Sequence, residues 1–137
     1  MLDLKKNDPA VLAEVGYTFN VILPDGTKTD AKITVRGSNS PTVTNHGRKI
    51  YHEFQVKKEQ AKRRGREPED LTLEEAEKMA AESAAVRVIT WTGLAEGGEE
   101  VVYSKDTAVR VMLDYPFIRE QVMKESDNIH NFSKRED

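Results

Sequence analysis

The sequence contains no cysteine, which excludes a disulfide framework, a thiolate metal site and a cysteine nucleophile, and fits a reducing cytosol. Long apolar runs are missing too. Nothing approaches the roughly 20 residues of a membrane span, and the opening "MLDLKKNDPAV" lacks the roughly seven consecutive apolar residues of a signal peptide. The expectation is a soluble, intracellular chain with no membrane contact. Signatures of chemistry are equally scarce. His46 falls in an expected loop, His52 in a basic helix and His130 near the C-terminus, with no HExxH and no sequence-local carboxylate cluster. Gly93, Gly97 and Gly98 lack the preceding strand and following helix of a dinucleotide fingerprint, and no GxxxxGK[ST] occurs. Ser104 has no nucleophile elbow around it, and its ordinary role is a helix cap. No catalytic residue is nominated, and no metal or cofactor is expected.

Charge is what the chain has in quantity: 33% of its 137 residues are charged against 37% hydrophobic. That balance is wetter than an average globule and points to exposed helices around one core. The charges are also segregated. Positions 48 to 66 hold eight Lys or Arg against two Glu, a net of +6, whereas positions 67 to 82 hold seven acids against Lys78, a net of −6. Such blocks can pair as an antiparallel hairpin within the chain or head to tail between copies, and self-association is therefore expected. Lys57, Lys58, Lys62, Arg63 and Arg64 are the basic candidates for partner contact. Nucleic acid competes as a partner for a basic run. The adjoining acids and the lack of interleaved aromatics argue against it.

Periodicity supplies the elements. In "YTFNVILPDGTKTDAKITVRG", Tyr17, Phe19, Val21 and Leu23 alternate on one face, as do Ala31, Ile33 and Val35, with Pro24, Asp25 and Gly26 at the turn, so a β-hairpin is predicted. "GSNSPTVTNHG" has no periodicity and is expected to be a loop. A basic helix follows over about 48 to 64, with Ile50, Phe54 and Ala61 at helical spacing and Gly65 as its stop. Thr72 and Glu75 form a capping box for a second helix striped by Ala76, Ala80 and Ala84. "VRVITW" could end that helix or begin a strand, because its residues are poorer helix formers than the alanines before it; a helix to about Trp91 is the expectation. A stop at Gly93, a tight turn at Gly97-Gly98, a cap at Ser104 and Pro116 in the first turn of a further helix complete the pattern. The fold class is α+β: an N-terminal β-hairpin followed by about four α-helices packed as one small domain over residues 15–133, with an N-terminal arm at 1–14 and a charged tail at 134–137.

The hairpin "VILPDGTKTDAKITVRGSNSP", the basic helix ending "KRRGR", the acidic helix leading to "VITWTGL", and "YSKDTAVRVMLDYPFIREQV" resemble the small tail assembly chaperones of long, noncontractile-tailed, lambda-like bacteriophages. The resemblance covers roughly residues 15 to 133. It implies a nonenzymatic protein of the infected host's cytoplasm that binds the tape-measure protein, promotes polymerisation of the tail-tube protein, and is absent from the finished virion. It also implies that a frameshifted longer product recruits tube subunits. A tape-measure protein is a long, largely helical partner, so its apolar stripes need a groove. Met79, Trp91, Met112, Tyr115 and Phe117 are the candidates for an adaptable apolar groove, with core packing as the alternative for each. Two other classes remain open, a structural tail-completion or connector component and a small nucleic-acid binder.

Overall fold

A computed structural model describes residues 1–133; the expected charged tail at 134–137 lies outside the described residues. The chain forms a small α+β domain in which a β-hairpin precedes four longer helices and a third strand. The hairpin pairs β1 (Tyr17–Ile22) with β2 (Lys28–Val35), in register from Tyr17 opposite Val35. Its period-two pattern is borne out, with Phe19, Val21, Ala31, Ile33 and Val35 buried on one face. The opposite face is polar, with the Thr18 and Thr34 hydroxyls 2.7 Å apart and Lys32 exposed. An antiparallel sheet with one face wet needs cover on the other. Helices provide it: α3 (Leu73–Arg87), α4 (Lys105–Asp114) and α5 (Pro116–Asp127) contribute Ala81, Ala84, Ala108, Met112, Ile118 and Val122 to the core.

The segment expected to be an N-terminal arm contains a short helix, α1 (Pro9–Val15), capped by Asp8. Ala13 is fully buried in it, and a Cβ at Gly37 would come within 2.8 Å of the Ala13 Cβ, so glycine is required for the two segments to meet. The expected loop around Pro41 is instead the start of α2 (Pro41–Arg63). Composition there is poor for a helix, but the N-terminus is capped twice. Ser40 accepts from the Val43 N–H at 3.2 Å and Glu14 accepts from the Thr42 N–H at 2.6 Å, while Pro41 occupies a first-turn position that needs no donor.

The larger correction concerns 86 to 91. The helix ends at Arg87, and Val88–Thr92 is β3, the third strand, antiparallel to β2 with Ile33 opposite Trp91. Arg36 at the end of β2 accounts for the switch. Its backbone N–H donates to the Arg87 carbonyl at 2.6 Å, and its guanidinium donates to the Val86 and Val88 carbonyls at 3.1 and 3.2 Å. Carbonyls that a helix end leaves without partners are thus satisfied by the sheet. Ser126 of α5 donates to the Arg36 carbonyl at 2.7 Å and ties the same corner to the last helix.

Beyond β3, β4 (Ala95–Glu96) and β5 (Glu99–Glu100) make a two-residue hairpin around Gly97-Gly98, whose φ of 57° and 84° suit the tight turn expected there. Ser104 caps α4 by accepting from the Thr107 N–H at 3.1 Å, and Pro116 opens α5, both as the sequence indicates. Thr72 accepts from the Glu75 N–H at 3.1 Å; its hydroxyl donates to the Glu75 carboxylate, so the cap forms through side chains. Phe132, in the closing 3-10 turn Ile129–Phe132, is buried, whereas Ile129 is exposed.

Two substitutions test this frame. Trp91 is 5% exposed, donates from Nε1 to the Val101 carbonyl at 2.7 Å and meets Tyr103 edge to face at 5.2 Å; its emission should be blue-shifted, and Trp91→Ala should cost about 3–5 kcal/mol by urea unfolding. Arg36→Met should cost about 2–3 kcal/mol, because it strands two carbonyls at the helix-to-strand corner. An unchanged unfolding midpoint for Arg36→Met would rule out that role.

Candidate partner-binding site

An open cleft of about 520 Å³ lies where the hairpin, the β4–β5 turn and the α4–α5 junction converge. Each wall has a local cause. The end of β1 and the start of β2 bring Val21, Leu23 and Ala31 to one side. Gly93 lets the chain leave β3 close to the hairpin: its φ is +78°, and a Cβ there would lie 3.1 Å from the Ala31 Cα. Leu94 and Val101, joined by a 2.8 Å backbone bond, form the roof. The far wall is Val111, Tyr115, Phe117 and Ile118, where Tyr115 ends α4 and Pro116 starts α5, so the chain turns and sets the two aromatic rings edge to face, 6.5 Å apart.

Polar groups fix the rim. Arg110 reaches Glu96 with two donors, at 2.6 and 3.2 Å, and the Tyr115 hydroxyl donates to the same carboxylate at 2.6 Å. These contacts latch the β4–β5 hairpin onto α4. Arg110 above all, with Tyr115, holds the Glu96 carboxyl below the ordinary glutamate range, and the Tyr115 phenol is held above its ordinary value mainly by donating to Glu96. On the opposite side the Gln121 amide donates to the Ile22 carbonyl at 2.8 Å and accepts from its N–H at 2.7 Å, pairing the free edge of β1 as a strand would. The hairpin end is therefore held to α5. Apart from Tyr115, the ionisable side chains lining the cleft among the described residues are Asp30 and Glu96, with no cation among them.

The candidate residues divide among four places. Tyr115 and Phe117 meet in the cleft. Trp91 and Met112 do not line a groove: they are 5% and 0% exposed, inside the core. Met79 is half-buried on α3, where it borders a gap of about 190 Å³ against α2. Lys57, Lys58, Lys62, Arg63 and Arg64 are exposed on the distal half of α2. The sequence reading missed Val21, Leu23, Leu94, Glu96 and Ile118 as cleft residues; the glycines at 93, 97 and 98 were the available signal for the roof. Among the described residues no three His, Asp or Glu side chains are grouped to hold a metal ion. No helix there is long and apolar enough to cross a membrane.

The architecture defines a small α+β domain with one apolar, acid-lined cleft and a charged helical projection. A family described as YdaY prophage protein matches residues 43–137, from the first turn of α2 onward. The chain belongs to this YdaY prophage protein family and is phage-derived. No curated protein and no solved structure matches it.

The depressed Glu96 carboxyl gives a pH test. A group whose folded value lies below its unfolded one contributes stability fully above the ordinary glutamate value of 4.5, and loses it as pH falls through the lower folded value. The thermal midpoint of the native protein should therefore fall more steeply below pH 4.5 than that of Glu96→Gln. Parallel acid limbs would mean that the latch contributes nothing.

Proposed function

We propose that this protein is a nonenzymatic assembly chaperone of a phage tail, working in the cytoplasm of the infected bacterium and binding the helical tape-measure protein through the cleft. The observation that carries the reading is the cleft itself. It is open, lined mainly by aliphatic and aromatic side chains, and held by the Arg110–Glu96 contact at its rim and the Gln121–Ile22 bonds beside it. An amphipathic helix that would aggregate alone can lay its apolar stripe into such a groove. Membership in a prophage family supports the phage context. The sequence resemblance to tail assembly chaperones of noncontractile-tailed phages supports the choice of partner, and with it a role in polymerising the tail-tube protein.

Phe117 and Leu94 both line the cleft and are the expected anchors. Co-expression tests the reading directly. The tape-measure protein of the same prophage should be insoluble alone, soluble with this protein, and recovered with several copies bound. Phe117→Ala and Leu94→Ala should each weaken capture about tenfold, the scale of losing an interface anchor, with circular dichroism unchanged. A tape-measure protein that stays insoluble, or stoichiometric recovery of this protein in purified virions, would favour a structural tail component. Tight, salt-sensitive binding to duplex DNA without effect on tail assembly would favour a nucleic-acid role.

A further inference from the structure

The far half of α2 and the beginning of α3 do little for the core. Every residue from 51 to 60 and from 62 to 78 is exposed, and α2 packs mainly against α1 and α3. The result is a helical arm that carries apolar side chains in water: Tyr51 is 66% and Leu73 76% exposed, with Phe54, Val56 and Leu71 near 40%. The two charge blocks of the sequence are both on this arm. Lys57, Lys58, Arg63 and Arg64 lie on the α2 side, with Glu67, Glu69, Asp70 and Glu77 on the α3 side. Lying alongside has not paired them. The salt bridges among the described residues are Arg36–Glu14, Arg110–Glu96 and Arg110–Asp114, none of them between the two helices of the arm.

We propose that the arm is a dimerisation element, which pairs with the arm of a second copy across a two-fold axis, basic α2 against acidic α3 and the reverse. The charge arrangement selects this occupant. Nucleic acid would use the basic helix and be repelled by the acidic one beside it, and an acidic protein would meet the same conflict. A second copy satisfies both blocks at once, and a two-fold arrangement closes on itself instead of growing into a filament. It also covers Tyr51, Val56 and Leu73, for which the fold provides no partner. The stretch of α2 from 51 to 63 extends about 20 Å, so an arm face covers roughly 400 Å² per copy, below the roughly 800 Å² of a standard interface. The dimer is accordingly weak and steered by charge. The cleft is not part of it, so this inference stands or falls separately from tape-measure binding.

Sedimentation equilibrium of the purified chain provides the test. At about 50 mM salt the protein should dimerise at micromolar concentrations, and raising salt to about 500 mM should weaken the dimer at least about tenfold, since the screening length falls from about 14 Å to about 4 Å over that range. Two charge-reversed variants make the test specific. Lys57→Glu, Lys58→Glu, Arg63→Glu and Arg64→Glu together leave both charge blocks, positions 48 to 66 and 67 to 82, acidic; Glu67→Lys, Glu69→Lys, Asp70→Lys and Glu77→Lys together leave both blocks basic. Each should be monomeric alone, and an equimolar mixture should recover a heterodimer. A native chain that is monomeric at low salt, a dimer indifferent to salt, or folded variants that fail to complement would each overturn the proposal. If a variant does not fold, the salt titration of the native chain still decides.

Discussion

The hydrogen bonds from Arg36 to the carbonyls at the end of α3 are the constraint on which the rest of the structure depends. An alanine-rich helix running directly into Val88 has no glycine or proline to stop it. It stops because its last carbonyls find donors on Arg36 at 2.6 to 3.2 Å, and the chain that follows takes up sheet register with β2. Glu14 sits 3.5 Å from the Arg36 Nε and also accepts from the first turn of α2, so α1, α2, β2, α3 and β3 meet at one polar corner. Burial raises the Glu14 carboxyl, but bonds from Thr42 and Ser40 and the Arg36 charge outweigh it and leave it ionised more readily than usual. Once β3 is in the sheet, Trp91 points into the core and Gly93 delivers the β4–β5 hairpin to the cleft.

The molecule thus separates its apolar cleft from its charge. The cleft is lined by aliphatic and aromatic side chains with two acids. The arm region sets a net +6 over positions 48 to 66 beside a net −6 over positions 67 to 82, while the whole chain carries only −3. Exposed charges of this kind set association rate, partner choice and salt dependence more than they set stability, whereas an apolar cleft supplies binding energy. The proposed chaperone role, gathering on a long rod and later leaving it, would use both.

Much of this was legible in the sequence, and the exceptions have physical reasons. The hairpin was readable because Pro24-Asp25-Gly26 separates two runs of strict alternation, and α4 and α5 because Ser104 and Pro116 mark their starts. β3 was not, since Val86–Trp91 continues a helical stripe and the deciding donor, Arg36, lies 50 residues away. The first turn of α2 was hidden for a similar reason, a partner at Glu14 that is remote in sequence. At the site, Tyr115 and Phe117 were identifiable as aromatics flanking a proline. Trp91 and Met112 looked equally suited to a groove, and only the three-dimensional packing distinguishes side chains lining a cleft from those beneath it. The cleft's hairpin wall could not be inferred from Tyr115 and Phe117, because no sequence pattern records which end of a sheet a helix junction will face.

The central claim is that the cleft receives an apolar helical stripe of the tape-measure protein. A benzophenone photocrosslinker placed at Leu94, in cells where the prophage has been induced, tests it most directly. The account predicts a covalent product containing the tape-measure protein, formed before tails are complete and missing when the crosslinker is placed instead on the polar sheet face at Thr90. Crosslinks confined to other copies of this chain, or a product equally abundant from Thr90, would contradict it.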